Sequence, residues 1–215
     1  MAAKKRKTKT DHRTRVGHER SARTETRILE AALGVFAAMG PDAPKIDDFV
    51  AAAGIARGTF YNHFDSVDAL LAATSEWTTR ELIETIEGAL EGIEGPTLRF
   101  GVGLRLFFAK AAADRVWSQF VGRVWRVGGL ELPLRDLEEG MRTGELRAED
   151  PDVAQDLLLG GVREAMLRIG REGAAPTYGA RMTALCLKAL GADAKRIAAV
   201  MKHELPAMGR GNAAE

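Results

Sequence analysis

The fold of this chain is decided by residues 49–64, which read FVAAAGIARGTFYNHF. Gly54 divides this stretch, and short helices are predicted on either side of it, over 46–53 and 56–63. A glycine readily adopts the left-handed backbone that turns one helix into the next. Two short helices joined by such a turn are typical of a helix-turn-helix.

The second of these helices is predicted to have one buried and one exposed side. Phe60 and Phe64 are four residues apart and are expected to point inward, against the preceding helix. Taken singly, Tyr61 also suits an ordinary packed aromatic and His63 a helix cap. As a set, the outward side chains are those with which a recognition helix contacts DNA. They are Arg57, Gly58, Thr59, Tyr61, Asn62 and His63.

Helical patterns extend on both sides of the motif. Apolar residues recur at helical spacing from Ile28 to Met39, and a long amphipathic run follows Ser66, a suitable N-cap residue, to about residue 94. The alternating apolar pattern of strands is essentially missing, so the predicted fold class is all-α. Further helices are predicted over 97–113, 114–127, 131–142, 151–170, 176–190 and 193–204.

Positive charge is concentrated at the N-terminus, although the net charge of the chain is only +1. Residues 1–27 carry ten Lys or Arg and three acidic residues, a net charge of +7, whereas residues 28–66 have a net charge of −3. Residues 1–20 show no apolar periodicity and are expected to form a disordered basic arm. Such an arm suits a polyanion, usually nucleic acid, although a solvated tail that aids solubility has the same composition.

Composition limits the class of protein. With 215 residues, of which 46% are hydrophobic and 28% charged, the chain is typical of a globular protein. Cys186 is its single cysteine, expected as a small buried hydrophobe, so no internal disulfide and no Cys-based metal site is predicted. The pattern favours a reducing cytoplasm, and neither export nor a membrane span is expected.

No motif for catalysis, metal binding or cofactor binding stands out. The four histidines (His12, His18, His63 and His203) are scattered, and no HExxH, GxSxG or Walker loop is present. The glycines at 101 and 103 lack the third glycine and the preceding strand of a dinucleotide-binding fingerprint. The sequence therefore predicts a protein that is not an enzyme and that has no metal and no cofactor.

The chain resembles the TetR family of bacterial transcriptional regulators over about residues 24–71. The resemblance rests on the helix at 28–40, the Ala-Ala-Gly-Ile turn, the Gly-Thr-Phe-Tyr-x-His-Phe block and the Leu70-Leu71 pair. The remainder of the chain matches only in layout. The resemblance implies a helix-turn-helix domain over 21–66, a helical effector-binding and dimerisation domain over 67–205 and a flexible tail over 206–215.

The resemblance also implies which residues contact DNA. Arg57, Thr59 and Asn62 take positions of contacts to bases or to the nearby backbone, and Tyr61 and His63 take positions that usually bind phosphate. Arginine suits guanine and asparagine suits adenine, each such pair contributing about 1 to 3 kcal/mol of discrimination.

Three further positions near the motif bear on DNA binding. Gly58 is expected to permit close approach to the groove. Lys45 stands where the family usually has a capping Thr or Ser, so the cap is lost and a cation is placed near the phosphates. Val67 stands where the family commonly has a lysine that contacts the backbone, so that contact is absent.

The aromatic-rich middle of the chain supplies the expected ligand pocket, with plain helical core as the alternative. Its candidate residues are Leu104, Phe107, Phe108, Trp117, Phe120, Val121, Trp125 and Met141, with Arg105, Gln119 or Arg123 to orient a ligand.

Two late helices, 151–170 and 176–190, are expected to form a dimer interface, with ordinary monomer core as the alternative. Gly160 and Gly161 would allow close approach of helices. The candidate interface residues are Leu157, Leu158, Val162, Met166, Met182 and Leu185.

The predicted function is that of a homodimeric cytoplasmic repressor. It would bind a pseudo-palindromic operator in double-stranded DNA and be released by a small, largely apolar effector. Effector binding would move the long helix at 66–94 and change the distance between the two recognition helices, about 34 Å in register with DNA. The alternative is a DNA-binding protein without a small-molecule effector, either architectural or responsive to a protein.

Overall fold

Helices make up the fold of this protein in the computed structural model, which describes residues 2–124 and 135–208, with side chains from residue 15 onward. No strand occurs within these ranges, so the all-α prediction is confirmed. The described helices are α1 (Ala2–Met39), α2 (Ile46–Ala53), α3 (Arg57–Tyr61), α4 (Val67–Ala89), α5 (Pro96–Ala113), α6 (Arg115–Val124), α7 (Arg135–Arg142), α8 (Pro151–Glu172), α9 (Tyr178–Ala189) and α10 (Ala194–Lys202).

An aromatic core holds the N-terminal domain together. Phe36 on α1 packs against Phe49 on α2, with ring centroids 4.9 Å apart, and Phe60 on α3 is fully buried in the same hydrophobic cluster. Leu70 from the first turn of α4 closes the same core. Each such side chain contributes about 1.5 to 3 kcal/mol by leaving water. The three helices of the motif are thereby fixed against one another.

The N-terminal segment differs from its prediction. Residues 1–20 were expected to be disordered, but the backbone from Ala2 is helical and continuous with the rest of α1. Alanine, lysine, arginine and threonine there are compatible with a helix, and no proline interrupts it. The exposed side chains of residues 17–23 show that this part of α1 has no tertiary packing. The helix therefore projects from the domain instead of joining its core.

The two domains share one continuous core. Helix α6 lies between α1 and α8, and Phe120 on α6 comes within 6.3 Å of Phe36 on α1, measured between ring centroids. Close approach of α6 to α8 depends on Gly170, because a Cβ there would lie 2.8 Å from the backbone nitrogen of Gln119. The N-terminal domain is thus seated directly on the C-terminal one.

Side-chain caps fix where several helices begin. The Ser66 hydroxyl accepts a hydrogen bond of 3.0 Å from the Ala69 N–H at the start of α4, as its sequence position predicted. Asp150 and Asp193 accept in the same way at the starts of α8 and α10. Helix α4 ends at Ala89, earlier than the predicted residue 94.

Cys186 is buried in α9, as predicted for a small apolar residue. Burial raises the pKa of its thiol to about 11, so the thiol is protonated at neutral pH. In the described part of the chain, no helix has the length and apolar character that a bilayer crossing requires.

Candidate nucleic-acid interface and ligand cavity

The turn between α2 and α3 has the geometry that a helix-turn-helix needs. Gly54 has φ = 60° and ψ = 43°, in the left-handed region, and its N–H donates to the Ala51 carbonyl. The Ile55 N–H donates to the Val50 carbonyl, at 3.2 Å. These two bonds satisfy the last carbonyls of α2 while the chain changes direction. The predicted turn at Gly54 is confirmed.

Helix α3 has the predicted division into inner and outer faces. Phe60 and Phe64 are buried, whereas Tyr61 is 46% exposed and Asn62 is also exposed. Thr59 is half-buried. Because the inner face is anchored by two aromatic rings, the outer face is presented in a fixed orientation.

Gly58 lies on the exposed face of α3 with an ordinary helical φ. A Cβ added there would meet no other atom within 4 Å. Neither backbone strain nor packing within the chain requires glycine at this position. A steric requirement for glycine at position 58 therefore has to come from a molecule that approaches α3 from outside the chain.

Arg57 is held in place by an acidic residue that the sequence analysis did not single out. Its Nη1 donates to Oδ1 of Asp47 on α2 at 2.8 Å, and its guanidinium lies 6.0 Å from the centre of the Tyr61 ring. A hydrogen bond to Tyr61 and the charge of Asp47 raise the pKa of Arg57 above its ordinary value. Both partners of the ion pair are exposed, so the pair is weak and exchangeable.

His63 is less accessible than predicted for an outward side chain. Only 11% of its side chain is exposed, and its Nδ1 lies 4.0 Å from Oε2 of Glu25 on α1. Phe64 packs beside its ring, with centroids 6.3 Å apart. The histidine therefore links α3 to α1, with little surface left for contact to phosphate.

Lys45 lacks a side-chain cap for α2, as predicted. The start of α2 is held from the other direction, because the Lys45 N–H donates to Oδ2 of Asp48 at 2.7 Å. An acidic residue at the third position of a helix is half of a capping box, and this signal identifies Asp48 in the sequence. The Lys45 side chain is exposed at the start of α2.

A cavity of about 90 Å³ lies in the C-terminal domain. Helices α4, α5, α6 and α8 form most of its wall. Its lining residues are Thr78, Thr79, Leu82, Ile83, Ile86, Glu87, Leu90, Arg99, Phe100, Gly103, Leu104, Phe107, Trp117, Asp136, Leu158, Leu159 and Val162.

The structure brings only part of the predicted pocket to this cavity. Leu104, Phe107 and Trp117 line it. Phe120 and Val121 are instead packed in the core, because α6 is covered by α1 on one side and by α8 on the other. Only Trp117, in the first turn of α6, reaches the cavity.

The remaining pocket predictions also need correction. Phe108 is buried at the contact with Gly179 of α9, and Met141 packs against the core away from the cavity. Trp125 lies outside the described residues.

The three residues predicted to orient a ligand do not line this cavity. Arg105 donates to the carbonyls of Val200 and His203, both at 2.7 Å, and Gln119 donates to Gly170. Arg123 lies near Gly40, at the end of α1.

The polar wall of the cavity is an ion-pair cluster. Arg99 on α5 donates through Nη2 to Glu87 on α4 at 2.9 Å and through Nε to Asp136 on α7 at 3.2 Å. Its Nη1 donates to the backbone carbonyls of Leu90 and Ile93 just beyond α4. The sequence analysis missed this cluster, because its members are 12 and 37 residues apart and carry no local motif.

A second cavity, of about 240 Å³, adjoins the first. Leu33 on α1 and Trp77 on α4 line it, and it shares Thr78, Leu82 and Trp117 with the first cavity. A wall of three side chains therefore separates the C-terminal cavity from the junction between the domains.

The predicted dimer residues divide into two groups. Leu158, Val162 and Met166 are buried within the monomer, so they are corrected from dimer-interface residues to interior residues. Leu158 and Val162 also line the first cavity. Leu157 and Leu185 are exposed, at 62% and 64%. Met182 on α9 is half-buried.

The exposed row of α8 continues beyond Leu157. Val153, one turn earlier, is 63% exposed, and Gly160 is exposed one turn later. The sequence analysis did not name Val153, although its spacing of four residues from Leu157 places both on one face.

This arrangement defines a class of protein: a helix-turn-helix DNA-binding domain followed by a helical domain that encloses a cavity. Residues 28–74 match the family described as "Bacterial regulatory proteins, tetR family". The N-terminal part of the chain is therefore similar to the DNA-binding domains of TetR-type transcriptional regulators.

Two relatives illustrate the similarity. The chain is 41% identical to YvdT of Bacillus subtilis (strain 168), an uncharacterised HTH-type transcriptional regulator, over 32% of this chain and 35% of that protein. It thus spans about a third of YvdT. It is 26% identical to the HTH-type transcriptional repressor DhaR of Mycobacterium sp. (strain GP1), over 69% of this chain and 84% of DhaR.

Solved structures share the fold. The crystal structure of RolR without ligand is 25% identical, with a TM-score of 0.61 over 86% of this chain and 100% of RolR. RolR in complex with resorcinol gives a TM-score of 0.62 at 23% identity, over 89% of this chain and 100% of RolR.

Proposed function

We propose that this protein is a homodimeric repressor that binds a pseudo-palindromic operator and releases it when a small, largely apolar effector fills the cavity. It acts in the cytoplasm, where bacterial DNA is found. The observation that carries the proposal is the position of α4. Leu70 in its first turn is buried in the DNA-binding core, and residues from Thr78 onward line the cavity.

The outer face of α3 supports the DNA-binding part. Its exposed groups include a guanidinium, a phenol and an amide, carried by Arg57, Tyr61 and Asn62. These are donors suited to base edges and phosphates. The open space around Gly58 leaves room for a groove wall to approach the helix. We assign base contacts to Arg57, Thr59 and Asn62, and backbone contacts to Lys45 and Tyr61.

The basic N-terminal segment supports a large electrostatic contribution. Residues 1–27 carry a net charge of +7, whereas the helix-turn-helix itself, residues 28–66, is net negative. Non-specific attraction to phosphates therefore comes mainly from the extension of α1. Because each neutralised phosphate releases counterions, binding weakens steeply with salt.

The exposed apolar row on α8 supports a dimer. Val153 and Leu157 lie together on this row, and Leu185 on α9 is equally exposed. Large aliphatic side chains exposed on neighbouring helices are typical of an interface. A two-fold axis through these helices forms a four-helix bundle and gives the two recognition helices a fixed distance.

The wall between the two cavities supports coupling between effector and DNA. Thr78 and Leu82 belong to α4, and Trp117 begins α6, which packs against α1. An effector that displaces these side chains changes how α1 and α4 meet. The equilibrium between the two states shifts at most by the ratio of the effector's affinities for them. DhaR is a repressor by name, which supports repression. RolR has been crystallised with resorcinol, which supports a small effector.

The decisive experiment is a footprint of the full-length protein on the DNA that flanks its own gene, at two salt concentrations. We expect protection of a pseudo-palindrome whose half-sites are about one helical turn, 34 Å, apart or a multiple of it. Uniform protection that disappears at the higher salt would overturn specific recognition. It would favour an architectural DNA-binding protein that depends on the basic segment.

A further inference from the structure

We infer that the cavity beside α4 selects an uncharged, ring-sized molecule with a hydroxyl or similar hydrogen-bonding group, and that it excludes carboxylates of the same shape. The inference rests on the proposed function in one respect, since it takes the cavity as the effector site. Its tests are made without DNA, so they fail or succeed separately from operator binding.

The size and walls of the cavity favour a compact ring. A water molecule needs roughly 10 to 15 Å³ on this scale, so about 90 Å³ accommodates roughly six to nine non-hydrogen atoms. Phe107 and Trp117 meet edge to face in the wall, with ring centroids 5.3 Å apart. Aromatic walls favour stacked or edge-on contact with another ring.

The charges that line the cavity exclude an anion. Among the described lining residues, Arg99 is the one cation, and Glu87 and Asp136 are its carboxylate partners. At least four of the five N–H groups of Arg99 have acceptors within the protein. Arg135 pairs with both carboxylates from outside the wall, so the cluster is balanced in charge. In the described part of the wall, a ligand carboxylate therefore finds no unpaired cation and has to displace Glu87 or Asp136 to reach Arg99. Burying such an unpaired charge is strongly unfavourable.

A hydroxyl group in the wall favours a polar atom on the ligand. Oγ1 of Thr79 is buried and has no hydrogen-bond partner among the described residues. Its neighbour Thr78 already donates its hydroxyl hydrogen to the Thr74 carbonyl at 2.8 Å. A buried hydroxyl without a partner is costly, and a ligand that pairs with it removes that cost. Thr79 therefore discriminates a hydroxylated ring from a hydrocarbon.

The charge rule is tested by calorimetric titration of the full-length protein with benzamide and benzoate, which have nearly the same shape. We expect benzamide to bind at least about a hundredfold more tightly than benzoate. Asp136→Asn removes one carboxylate from Arg99, and we expect benzoate to gain at least about tenfold. Glu139→Gln is the matched control, because Glu139 pairs with Arg142 on the same helix and does not line the cavity.

The hydroxyl rule is tested with phenol and toluene. We expect Thr79→Val to weaken phenol binding about threefold to tenfold and to leave toluene unchanged or improved, because valine keeps the shape of threonine without its hydroxyl. Thr85→Val is the control. Thr85 lies on the same helix, donates to the Glu81 carbonyl and is absent from this wall.

Clear outcomes would overturn the inference. Benzoate binding as tightly as benzamide would contradict the charge rule, and equal losses for phenol and toluene in Thr79→Val would contradict the hydroxyl rule. Absence of binding for all four probes would overturn the assignment of the cavity. None of these results bears on operator binding, which the footprint measures independently.

Discussion

The two ends of helix α4 differ in how they are packed. At its start, Leu70 and Leu71 are buried among aromatic rings, and the Ser66 hydroxyl caps the helix. Further along, α4 borders a cavity, and Thr79 carries a hydroxyl without a partner. The first region is built from residues close together in sequence and filled completely. The second is formed by residues that are far apart in the sequence and that surround a cavity. A filled region has one shape, whereas a region with space changes shape with its occupant.

The largest expected effect is on the free energy of unfolding, and it is measured by truncating one phenylalanine in each region. Phe60→Ala removes a fully buried ring, and we expect it to lower the free energy of unfolding by about 3 to 5 kcal/mol. Phe100→Ala enlarges an existing cavity from a half-buried position, and we expect a loss of less than about 2 kcal/mol. Urea denaturation measures both. Equal losses would show that the cavity wall is packed as tightly as the DNA-binding core.

The second expected effect concerns DNA affinity without change in stability. Arg57→Ala removes an exposed side chain that we assign to base contact, so operator affinity falls about tenfold to a hundredfold. The midpoint of thermal unfolding stays nearly constant, because an exposed ion pair contributes little. Fluorescence anisotropy with a labelled operator measures the affinity. Arg142→Ala, exposed on α7 in the other region, is the control, and an equal loss there would contradict a specific role for Arg57.

The third expected effect compares two glycines. Gly54→Ala forces a side chain into the left-handed turn, so we expect a destabilisation of about 1 to 2 kcal/mol. Gly88→Ala lies in the last turn of α4 with no atom within 4 Å of the new methyl group, so we expect a stabilisation of up to about 0.5 kcal/mol. Denaturation curves measure both changes. The same sign for both substitutions would contradict the conformational argument.

The smallest expected effect is a gain of DNA affinity. Asp47→Asn releases Arg57 and removes a negative charge beside the phosphates, so affinity rises about threefold at low salt. The gain shrinks at higher salt because exposed charges are screened. Anisotropy titrations at two ionic strengths measure it. Glu76→Gln, exposed on α4 and paired with Arg80, is the control; if it gave the same gain, net charge alone would explain the result.

The predictability of each region follows from the same difference. Gly54, Phe60 and Ser66 were predicted correctly because their roles depend on neighbours a few residues away. Phe120 was predicted wrongly because an aromatic side chain in a helix covered on both sides looks the same in sequence as one that faces a cavity. The Arg99 cluster could not be predicted, since α4, α5 and α7 meet only through tertiary packing.

The exposed and buried rows of α8 show a second limit of the sequence. Leu157 and Leu158 are adjacent and chemically identical, yet one is exposed and the other is buried. Helical periodicity shows that they lie on different faces but does not show which face meets α6. That choice depends on the glycine contact at Gly170, which is formed only when α6 and α8 come together.

Cys186 gives this chain a built-in reporter of its own motions. Its thiol is the single one in the sequence, it is buried in α9, and its pKa is about 11. A thiol reagent therefore reacts only when the C-terminal helices open transiently, and the labelling rate follows how often that occurs. An occupant of the cavity that tightens these helices slows the labelling. The labelling rate thus reports transient opening of the C-terminal helices without any engineered cysteine.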